Sequence, residues 1–545
     1  MSRKKLLFFI FLLGLSALTN FSSQEIELKI TSSKKQDSLL TYKYDYKKKH
    51  VDSISLSREI MKYLSKIKKD GYFLNKIDSI IKRKEKTIAY ITFNEKVNFA
   101  KISFEDPRKE ELIIKISELE KTLNLLSANF EAKGNSFTKL FLENSKIKND
   151  TLISQLKINQ SKQRKINKVI VRGYDKFPKS FLKNYFKLNE SSIFNNKKLN
   201  SISNLTRSLN FVEEIKKPEV LFTKDSTIIY MYLKKRKNNS FDGLINLSTQ
   251  ENGSVNFNGY LDLKLNNILS KGESFNLKWN NYGNERQELA IRTKIPFIFK
   301  SKISPEIKFS IYKQDSTFLN SLFNIKLNYV INYKSELSFF INNEKSEKLT
   351  GTNIENNLES FNTFLTGVGY QYNDKQNYFL RESKFYFGVE TGFGKRNNLN
   401  KSVNQTKIEA TIKYHLDLSD RSFMYLKNKV GILNSKSYLL NELFRIGGPK
   451  TIRGYAIQSI FSKNYTTQNI EFRYLTSQKS YLYTITDFAF FETINNKEKL
   501  FAFGLGYLFN TKKSQINITA AVPGNLNSSI SFKNTQLLIN WVNIF

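Results

Sequence analysis

The sequence of 545 residues contains no cysteine, two histidines, seven prolines and two tryptophans. The lack of cysteine excludes disulfide scaffolds, thiolate metal sites, thiol nucleophiles and a lipid-anchored cysteine. The histidines, His50 and His415, lie far apart in the sequence and leave almost no material for a zinc site or a Ser-His-Asp triad. We therefore expect no metal and no other cofactor. Beyond the N-terminus, no apolar run approaches the ~20 residues that a transmembrane helix needs.

Acidic residues are also scarce, because 49 Asp and Glu face 87 Lys and Arg and the formal net charge is +38. A general compositional bias towards lysine is one explanation, and an anionic partner surface such as lipopolysaccharide or anionic lipid is another. Nucleic-acid-binding proteins concentrate their charge on one face or element. Here the lysines are spread over the first 240 residues and recur beyond them. We therefore expect no nucleic-acid partner.

Residues 1–23 have the pattern of a secretory signal peptide. Arg3, Lys4 and Lys5 precede an apolar run over residues 6–18, and small polar residues follow. The run is short for a membrane span, so a signal anchor is the less favoured alternative. If the mature chain lies in a membrane, it must do so as a barrel, because only helices and closed barrels satisfy every backbone group in lipid.

Three repeated units follow an N-terminal segment at residues 24–50, and they occupy residues 51–106, 109–163 and 164–236. Each unit combines helical apolar spacing with two alternating strands joined by a charged turn. The third has the order strand–helix–helix–strand–strand and resembles the POTRA domain, while the first two are more degenerate. A generic α+β periplasmic domain is the alternative. POTRA-like units present strand edges to which an extended chain can add.

Residues 237–545 form segments of about ten residues that alternate apolar and polar side chains, which is typical of a membrane β-barrel. A soluble sandwich is the alternative. The 16 candidate strands begin near residues 241, 255, 273, 286, 305, 321, 335, 362, 381, 404, 421, 465, 480, 499, 514 and 535. The longest interval between strands runs from about 435 to 464. The sequence therefore predicts α+β POTRA-like repeats followed by an all-β 16-stranded antiparallel transmembrane barrel over residues 237–545.

The chain ends in TQLLINWVNIF, in which Leu537, Ile539, Trp541 and Phe545 fall on one face of a strand. An apolar face that ends in an aromatic residue is typical of the closing strand of an outer-membrane barrel. Asn543 interrupts this face.

The long interval between strands eleven and twelve contains FRIGGPKTIRGYAIQSIF at residues 444–461. A turn with Gly447 and Gly448 precedes the tripeptide Arg453-Gly454-Tyr455. This arrangement resembles the loop-six motif of the BamA/TamA outer-membrane assembly superfamily, which has Arg-Gly-Phe/Tyr after a Gly-Gly element. A loop pressed against the barrel wall has no room for a Cβ atom, which fits a glycine at position 454.

In that superfamily the loop folds back into the lumen, and its arginine contacts an acidic residue on strand thirteen. The matching position here is Asp487, so the resemblance implies a lumenal Arg453–Asp487 pair. A guanidinium in a narrow lumen needs such a charged partner. Ile485 and Ala489 depart from the aromatic residue and the glycine of the family pattern. A second Arg-Gly-Tyr at residues 172–174 lies at the strand-to-helix turn of the third unit, and we give it no functional weight.

The resemblance covers about residues 45–545 and is most specific over 444–545. It implies a protein that is not an enzyme: an outer-membrane assembly and insertion factor whose layout is most like that of TamA. Such a factor lies in the outer membrane with its N-terminal units in the periplasm. Its implied partners are unfolded outer-membrane proteins, outer-membrane lipids and lipopolysaccharide, with periplasmic or lipoprotein accessory subunits left open. The alternatives are a two-partner secretion-type polypeptide translocator, a lipid-handling or structural barrel, and an enzyme.

Overall fold

The computed structural model describes residues 25–83, 86–105, 110–249, 255–282, 285–349, 357–378, 381–399, 401–525 and 532–545. The signal peptide predicted at residues 1–23 lies outside these ranges. The described chain forms three small α+β sheets and a closed 16-stranded antiparallel barrel, which confirms the predicted fold class. Residues up to 164 form one compact unit and residues 165–545 form another. No helix among the described residues is both long enough and apolar enough to cross a membrane.

The first sheet has the strand order β2-β1-β4-β3 and is covered by helix α2. Its elements are β1 (Ile26–Ser32), α1 (Ser38–Thr41), β2 (Lys49–His50), α2 (Ser53–Lys69), β3 (Lys76–Lys82) and β4 (Lys86–Thr92). Helix α2 begins after Asp52, whose carboxylate accepts a hydrogen bond from the Ser55 backbone N–H at 2.6 Å. Strand β1 pairs in parallel with β4. The N-terminal segment is therefore part of this sheet, which corrects the predicted start of the first unit at residue 51.

The second sheet has the order β6-β5-β8-β7. Its elements are β5 (Phe99–Phe104), β6 (Leu112–Lys115), α3 (Ile116–Ala132), β7 (Lys139–Lys148) and β8 (Thr151–Asn159). Strand β5 pairs in parallel with β8, so it belongs to this sheet although the sequence placed it in the first unit. A strand partner some 50 residues downstream leaves no local signal, and this explains both boundary differences.

The third sheet has the order β10-β11-β9 and the element order predicted for residues 164–236. Its elements are β9 (Lys168–Arg172), α4 (Lys179–Asn184), α5 (Asn196–Arg207), β10 (Val212–Phe222) and β11 (Thr227–Lys235). Aromatic rings fill its core: Phe181 lies 5.2 Å from Phe211 and 6.4 Å from Phe177 between ring centroids. Such ring pairs stabilise the core beyond the burial of area alone.

The barrel strands run antiparallel to their neighbours around the closed wall. They are β12 (Ser240–Thr249), β13 (Val255–Asn266), β14 (Ser274–Asn281), β15 (Gln287–Lys294), β16 (Ile303–Gln314), β17 (Phe318–Val330), β18 (Ser335–Lys348), β19 (Phe361–Tyr378), β20 (Arg381–Asn398), β21 (Ser402–Asp417), β22 (Ser422–Ser435), β25 (Asn464–Ser477), β26 (Ser480–Glu492), β27 (Lys497–Asn510), β28 (Ser514–Asn525) and β29 (Gln536–Ile544). The short strands β23 (Phe444–Ile446) and β24 (Ile460–Ser462) pair with each other and are not part of the barrel wall. Every predicted start lies within three residues of the observed one, with the largest difference at Phe318.

The two faces of the barrel wall differ in chemistry. Large apolar side chains such as Phe364, Val368 and Phe393 are about half exposed on the outside. The lumenal face carries ion pairs, for example Arg292 with Glu306, whose nitrogen and oxygen atoms lie 2.8 Å apart. An apolar outer band around a closed wall requires lipid, because the exposure of so large an apolar surface to water is unfavourable. The closure and this polarity favour the membrane barrel over the soluble sandwich.

The third sheet and its helices pack on one end of the barrel, the end where β12 begins and β29 ends. We call it the proximal end and the opposite one the distal end. Phe297, in the turn after β15, is 5% exposed and lies 4.9 Å from Phe181 between ring centroids. Asn267, in the turn after β13, donates a side-chain hydrogen bond to the Tyr174 hydroxyl at 2.5 Å. Phe297 is therefore a junction residue between the third sheet and the barrel.

Candidate functional site: loop six and the barrel seam

Residues 436–463 connect β22 to β25 and form loop six. Strands β23 and β24 make a narrow hairpin within it, and Gly447 and Gly448 follow β23. Both glycines have a positive φ, of 115° and 84°. A Cβ on Gly447 would lie 2.3 Å from the Ala456 carbonyl oxygen, so this turn tolerates no side chain. The Thr451 hydroxyl accepts a hydrogen bond from the Gly447 N–H at 2.8 Å.

The structure brings Arg453 against Asp487 on the lumenal face of β26. The guanidinium donates to both carboxylate oxygens of Asp487, at 2.8 Å from Nε and 2.6 Å from Nη2. The Arg453 backbone N–H donates to the same carboxylate at 3.0 Å. Asp487 is fully buried and Arg453 is 9% exposed. Burial makes this two-pronged pair sensitive to the loss of either partner.

The remaining motif residues also contact the wall. Gly454 has a φ of 81°, and a Cβ there would lie 3.0 Å from the Pro523 backbone nitrogen. The hydroxyl of Tyr455 donates to the Gly524 carbonyl oxygen at 2.7 Å. Gly454 and Tyr455 thus touch the penultimate strand β28, whereas Arg453 contacts β26. The whole tripeptide fits against strands near the C-terminal end of the barrel.

Sequence reasoning missed one further partner of Arg453, the Glu471 carboxylate, and the second arginine that shares this carboxylate. Arg453 Nη1 donates to Glu471 on β25 at 2.5 Å, and Arg473 Nε donates to the other carboxylate oxygen of Glu471 at 2.8 Å. The Arg473 guanidinium also lies over the Tyr425 ring, 4.2 Å from its centroid. The alternation in β25 could have placed Glu471 in the lumen, but not at the height of Arg453.

A second buried ion pair, also missed, holds the start of loop six. Arg396 on β20 pairs with Glu442 in the 3₁₀ turn before β23, and the two residues are 1% and 5% exposed. The Glu442 carboxylate also accepts from Gln405 Nε2 at 2.7 Å and from the Leu439 N–H at 2.9 Å. The loop is therefore fixed to β20 and β21 at its start and to β25, β26 and β28 through its Arg-Gly-Tyr tripeptide.

A third contact reaches the strands near the start of the barrel. Gln458 Nε2 donates to Glu288 on β15 at 3.1 Å. The Arg445 guanidinium lies 3.7 Å from the centroid of the Tyr312 ring on β16. Loop six thus crosses the lumen. Below it lies a cavity of about 550 Å³, lined by seven acidic and seven basic side chains among other residues.

The seam between β12 and β29 is the shortest pairing in the wall. Among the described residues it consists of two pairs, Ser240 with Ile544 and Phe241 with Asn543, whereas β28 and β29 share eight. The Phe545 N–H donates to the Asn239 carbonyl oxygen at 2.9 Å and ends the seam at the proximal side.

Further along the strand, a side-chain contact takes the place of the ladder. Asn540 Nδ2 donates to the Asp242 carboxylate at 2.8 Å, on the lumenal face. Residues 536–542 of β29 make no ladder pair with β12 in the described part of the two strands. This leaves their backbone groups facing β12 without the usual partners.

The predicted closing face points outward. Leu537, Ile539, Trp541 and Phe545 are 67%, 58%, 56% and 51% exposed. Asn543 lies on the same face, where its carboxamide oxygen accepts from the Ser514 hydroxyl at 3.0 Å. The closing strand is thus apolar towards lipid along its length, except at the residue that takes part in the seam.

The described residues contain no group of three or more His, Asp or Glu side chains arranged to hold a metal ion. The acidic residues of loop six and its wall are engaged by arginines instead. What the site offers chemically is a set of buried ion pairs and an incompletely paired strand edge.

Comparison with known proteins gives one family and a fold. Residues 164–236 match the POTRA family, described as a surface antigen variable number repeat. No curated protein matches the sequence. CdiB from Acinetobacter baumannii is similar in structure, with a TM-score of 0.52, 13% identity, and coverage of 82% of this chain and 90% of that chain. CdiB from Escherichia coli also has a TM-score of 0.52, with 12% identity over 90% of this chain and 97% of that chain.

BamA from Haemophilus ducreyi lacking POTRA domains 1–3 gives a TM-score of 0.47 and 12% identity, over 78% of this chain and 94% of that chain. Identities this low concern the fold alone. The chain therefore carries a POTRA domain at residues 164–236, and its POTRA-like sheets and barrel have a fold similar to that of the two CdiB structures.

Proposed function

We propose that the protein is an outer-membrane assembly factor, which binds unfolded outer-membrane protein chains at its POTRA-like units and inserts them through the barrel seam. The small number of residue pairs in the seam is the observation that supports this proposal. Two residue pairs join β12 to β29, against eight between β28 and β29. In hydrocarbon each unsatisfied backbone group costs several kcal/mol. An incoming strand that pairs with the open edge removes this cost.

The mechanism needs no catalytic group and no nucleotide. The POTRA-like sheets end in edge strands such as β3 and β7, to which an extended substrate chain can add by backbone hydrogen bonds. The seam then opens sideways, and its edge serves as the template for the first substrate strand. Loop six keeps the rest of the wall in shape while the seam is open, because ion pairs fix it to β20, β25 and β26 and the Gln458–Glu288 hydrogen bond fixes it to β15 across the lumen.

A polypeptide translocator of the two-partner secretion type is the second candidate, and the likeness in fold to CdiB favours it. Translocation would use the lumen rather than the seam. Loop six crosses that lumen and is held by the Arg396–Glu442 and Arg453–Asp487 pairs. Export would require both pairs to break, whereas lateral insertion leaves them intact.

A reversible disulfide across the seam between β12 and β29 distinguishes the two candidate functions. Because the chain has no cysteine, Ser240→Cys with Ile544→Cys adds the only two thiols, at paired positions within disulfide range. If the proposal holds, oxidation stops the assembly of outer-membrane proteins and reduction restores it. The matched control is Gln515→Cys with Val542→Cys, which links β28 to β29 and should leave assembly unchanged. Assembly that continues with the seam locked would contradict lateral insertion.

Depletion of the protein followed by quantitative outer-membrane proteomics tests the breadth of its role. We expect many unrelated barrel proteins to fall together. An unchanged outer membrane, with one secreted polypeptide accumulating inside the cell, would identify a dedicated translocator instead.

A further inference from the structure

Two proximal turns of the barrel expose large apolar side chains beyond the ends of their strands. In the turn between β13 and β14, Ile268 and Leu269 are 49% and 70% exposed. In the turn between β15 and β16, Phe299 is 95% exposed. Turns that face water usually carry polar residues, and neither the loop-six site nor the seam uses these three.

The first turn is built to hold its shape. The buried Glu273 carboxylate accepts from the Leu269 N–H at 2.6 Å and from the Lys271 N–H at 3.0 Å. Asn267 Oδ1 accepts from the Gly272 N–H at 2.8 Å. These bonds fix the backbone on both sides of Leu269, so its side chain is held outward rather than left free to fold back.

The second turn separates two phenylalanines. Phe297 is buried against Phe181 of the third sheet's helix α4, while Phe299 points away from this core and is exposed. Phe299 has a φ of 51°, a left-handed conformation that is unfavourable for a bulky residue. Asn184 Nδ2 supports it by donating to the Lys300 carbonyl oxygen at 3.1 Å.

The two turns are neighbours, and they continue the outer apolar face of the wall. A Cβ on Gly272 would lie 3.4 Å from Pro296 Cγ, which places the turns side by side. Ile295 and Ile303, at the adjoining strand ends, are 38% and 39% exposed. Exposed apolar side chains therefore occur both at the adjoining strand ends of the wall and at the tips of the two turns.

Cationic side chains border this surface. Lys271, Lys300 and Lys302 are all exposed and lie within a few residues of the apolar tips. Lysines beside apolar side chains suit a membrane interface, where ammonium groups meet anionic headgroups and the apolar parts reach the acyl chains.

We propose that Ile268, Leu269 and Phe299 form a membrane anchor, here named the proximal anchor, that inserts into the lipid leaflet at the proximal end. Its occupant is the bilayer itself: acyl chains around the three side chains and anionic headgroups around the lysines. Through Phe297 and Phe181 the anchor holds the third sheet against the membrane, beside the first strands of the barrel. This inference goes beyond the proposed function, because it holds for an assembly factor and for a translocator alike.

The test places a tryptophan at the tip of the anchor. The full chain carries Phe299→Trp, with Trp279→Phe and Trp541→Phe to remove the native emission, and is folded into vesicles of phosphatidylcholine and phosphatidylglycerol. Acyl chains brominated at defined depths serve as quenchers. We expect a blue-shifted emission, loss of emission with shallow brominated lipid, and little quenching by aqueous iodide.

Leu399→Trp in the same background is the matched control. Leu399 is also 95% exposed, and it lies in the distal turn after β20, an 18-residue strand that extends beyond the bilayer. Its tryptophan should be quenched by iodide and not by brominated lipid.

Leu269→Trp provides a second probe in case Phe299→Trp does not fold, and heat-dependent electrophoretic migration reports folding of each variant. The proposal is overturned if folded Phe299→Trp and Leu269→Trp respond to iodide and brominated lipid as Leu399→Trp does.

Discussion

Replacing Arg453 by alanine should release loop six from the barrel wall. The substitution removes two side-chain hydrogen bonds to Asp487 and one to Glu471, and it leaves both carboxylates buried. The backbone N–H bond to Asp487 can survive, so the side chain accounts for the loss. Removing one partner of a buried ion pair costs about 3–5 kcal/mol. The population of the open loop should therefore rise by about 10²- to 10⁴-fold.

Hydrogen exchange followed by mass spectrometry measures this change directly. The readout is the exchange rate of the peptide that covers residues 444–461, in the full chain reconstituted in detergent or nanodiscs. Exchange should accelerate in Arg453→Ala while the wall strands β16 to β18 keep their protection, because the loop opens without global unfolding. Outer-membrane assembly should fall, while secretion of the variant itself remains intact.

A surface ion pair supplies the control. Lys345→Ala removes an exposed pair with Glu347, whose nitrogen and oxygen atoms lie 2.7 Å apart. Such pairs contribute about 1 kcal/mol or less. Loop exchange in this variant should match the unmodified chain. Two results together would refute the proposed role of Arg453: a loop exchange rate in Arg453→Ala within about tenfold of that in the unmodified chain, and normal assembly. A tenfold change corresponds to only about 1.4 kcal/mol.

Two other substitutions test the packing of loop six, and a third tests the junction between the third sheet and the barrel. Gly454→Ala should destabilise loop six by about 1–2 kcal/mol, because its left-handed backbone disfavours a Cβ and Pro523 leaves little room for one; the exchange rate of residues 444–461 reports it. Glu442→Ala should leave the Arg396 guanidinium buried without its carboxylate partner, at a cost of about 3–5 kcal/mol. Hydrogen exchange at the start of the loop should then be faster than in the unmodified chain, and no peptide should exchange more slowly. Phe181→Ala should lower the free energy of unfolding of the third sheet by about 3–5 kcal/mol. The denaturant midpoint of unfolding should then be lower for β9–β11 than for the barrel. Equal midpoints would count against the junction.

The barrel could be predicted strand by strand because its signal is local. Outward and lumenal side chains alternate with a period of two residues, and the turns between them are short. The interval that holds loop six was visible for the same reason, since it interrupts this rhythm between Ser435 and Asn464. The Arg453–Asp487 contact was predicted from the family motif, and the structure brings the two residues together.

The missed contacts depend on distances that the sequence does not encode locally. Arg396 and Glu442 are 46 residues apart and meet only because loop six turns back into the lumen. Glu471 meets Arg453 only at one height of β25, which the alternation of that strand does not determine. The predicted boundaries of the first two units were wrong for a similar reason. Strands β1 and β5 each pair in parallel with a strand that comes after the helix of the same sheet.

The strands differ in length around the wall, and this gives the barrel an uneven rim. Strands β19 and β20 have 18 residues each, while β14 and β15 have 8 and β29 has 9. At ~3.3 Å per residue and a tilt of ~40°, the long strands rise about 45 Å and the short ones about 20 Å. The long strands thus extend beyond a lipid band of ~25 Å, and the short strands fall short of its full thickness. The low side of the rim is the side of the seam, so a chain that leaves sideways has the shortest wall to clear.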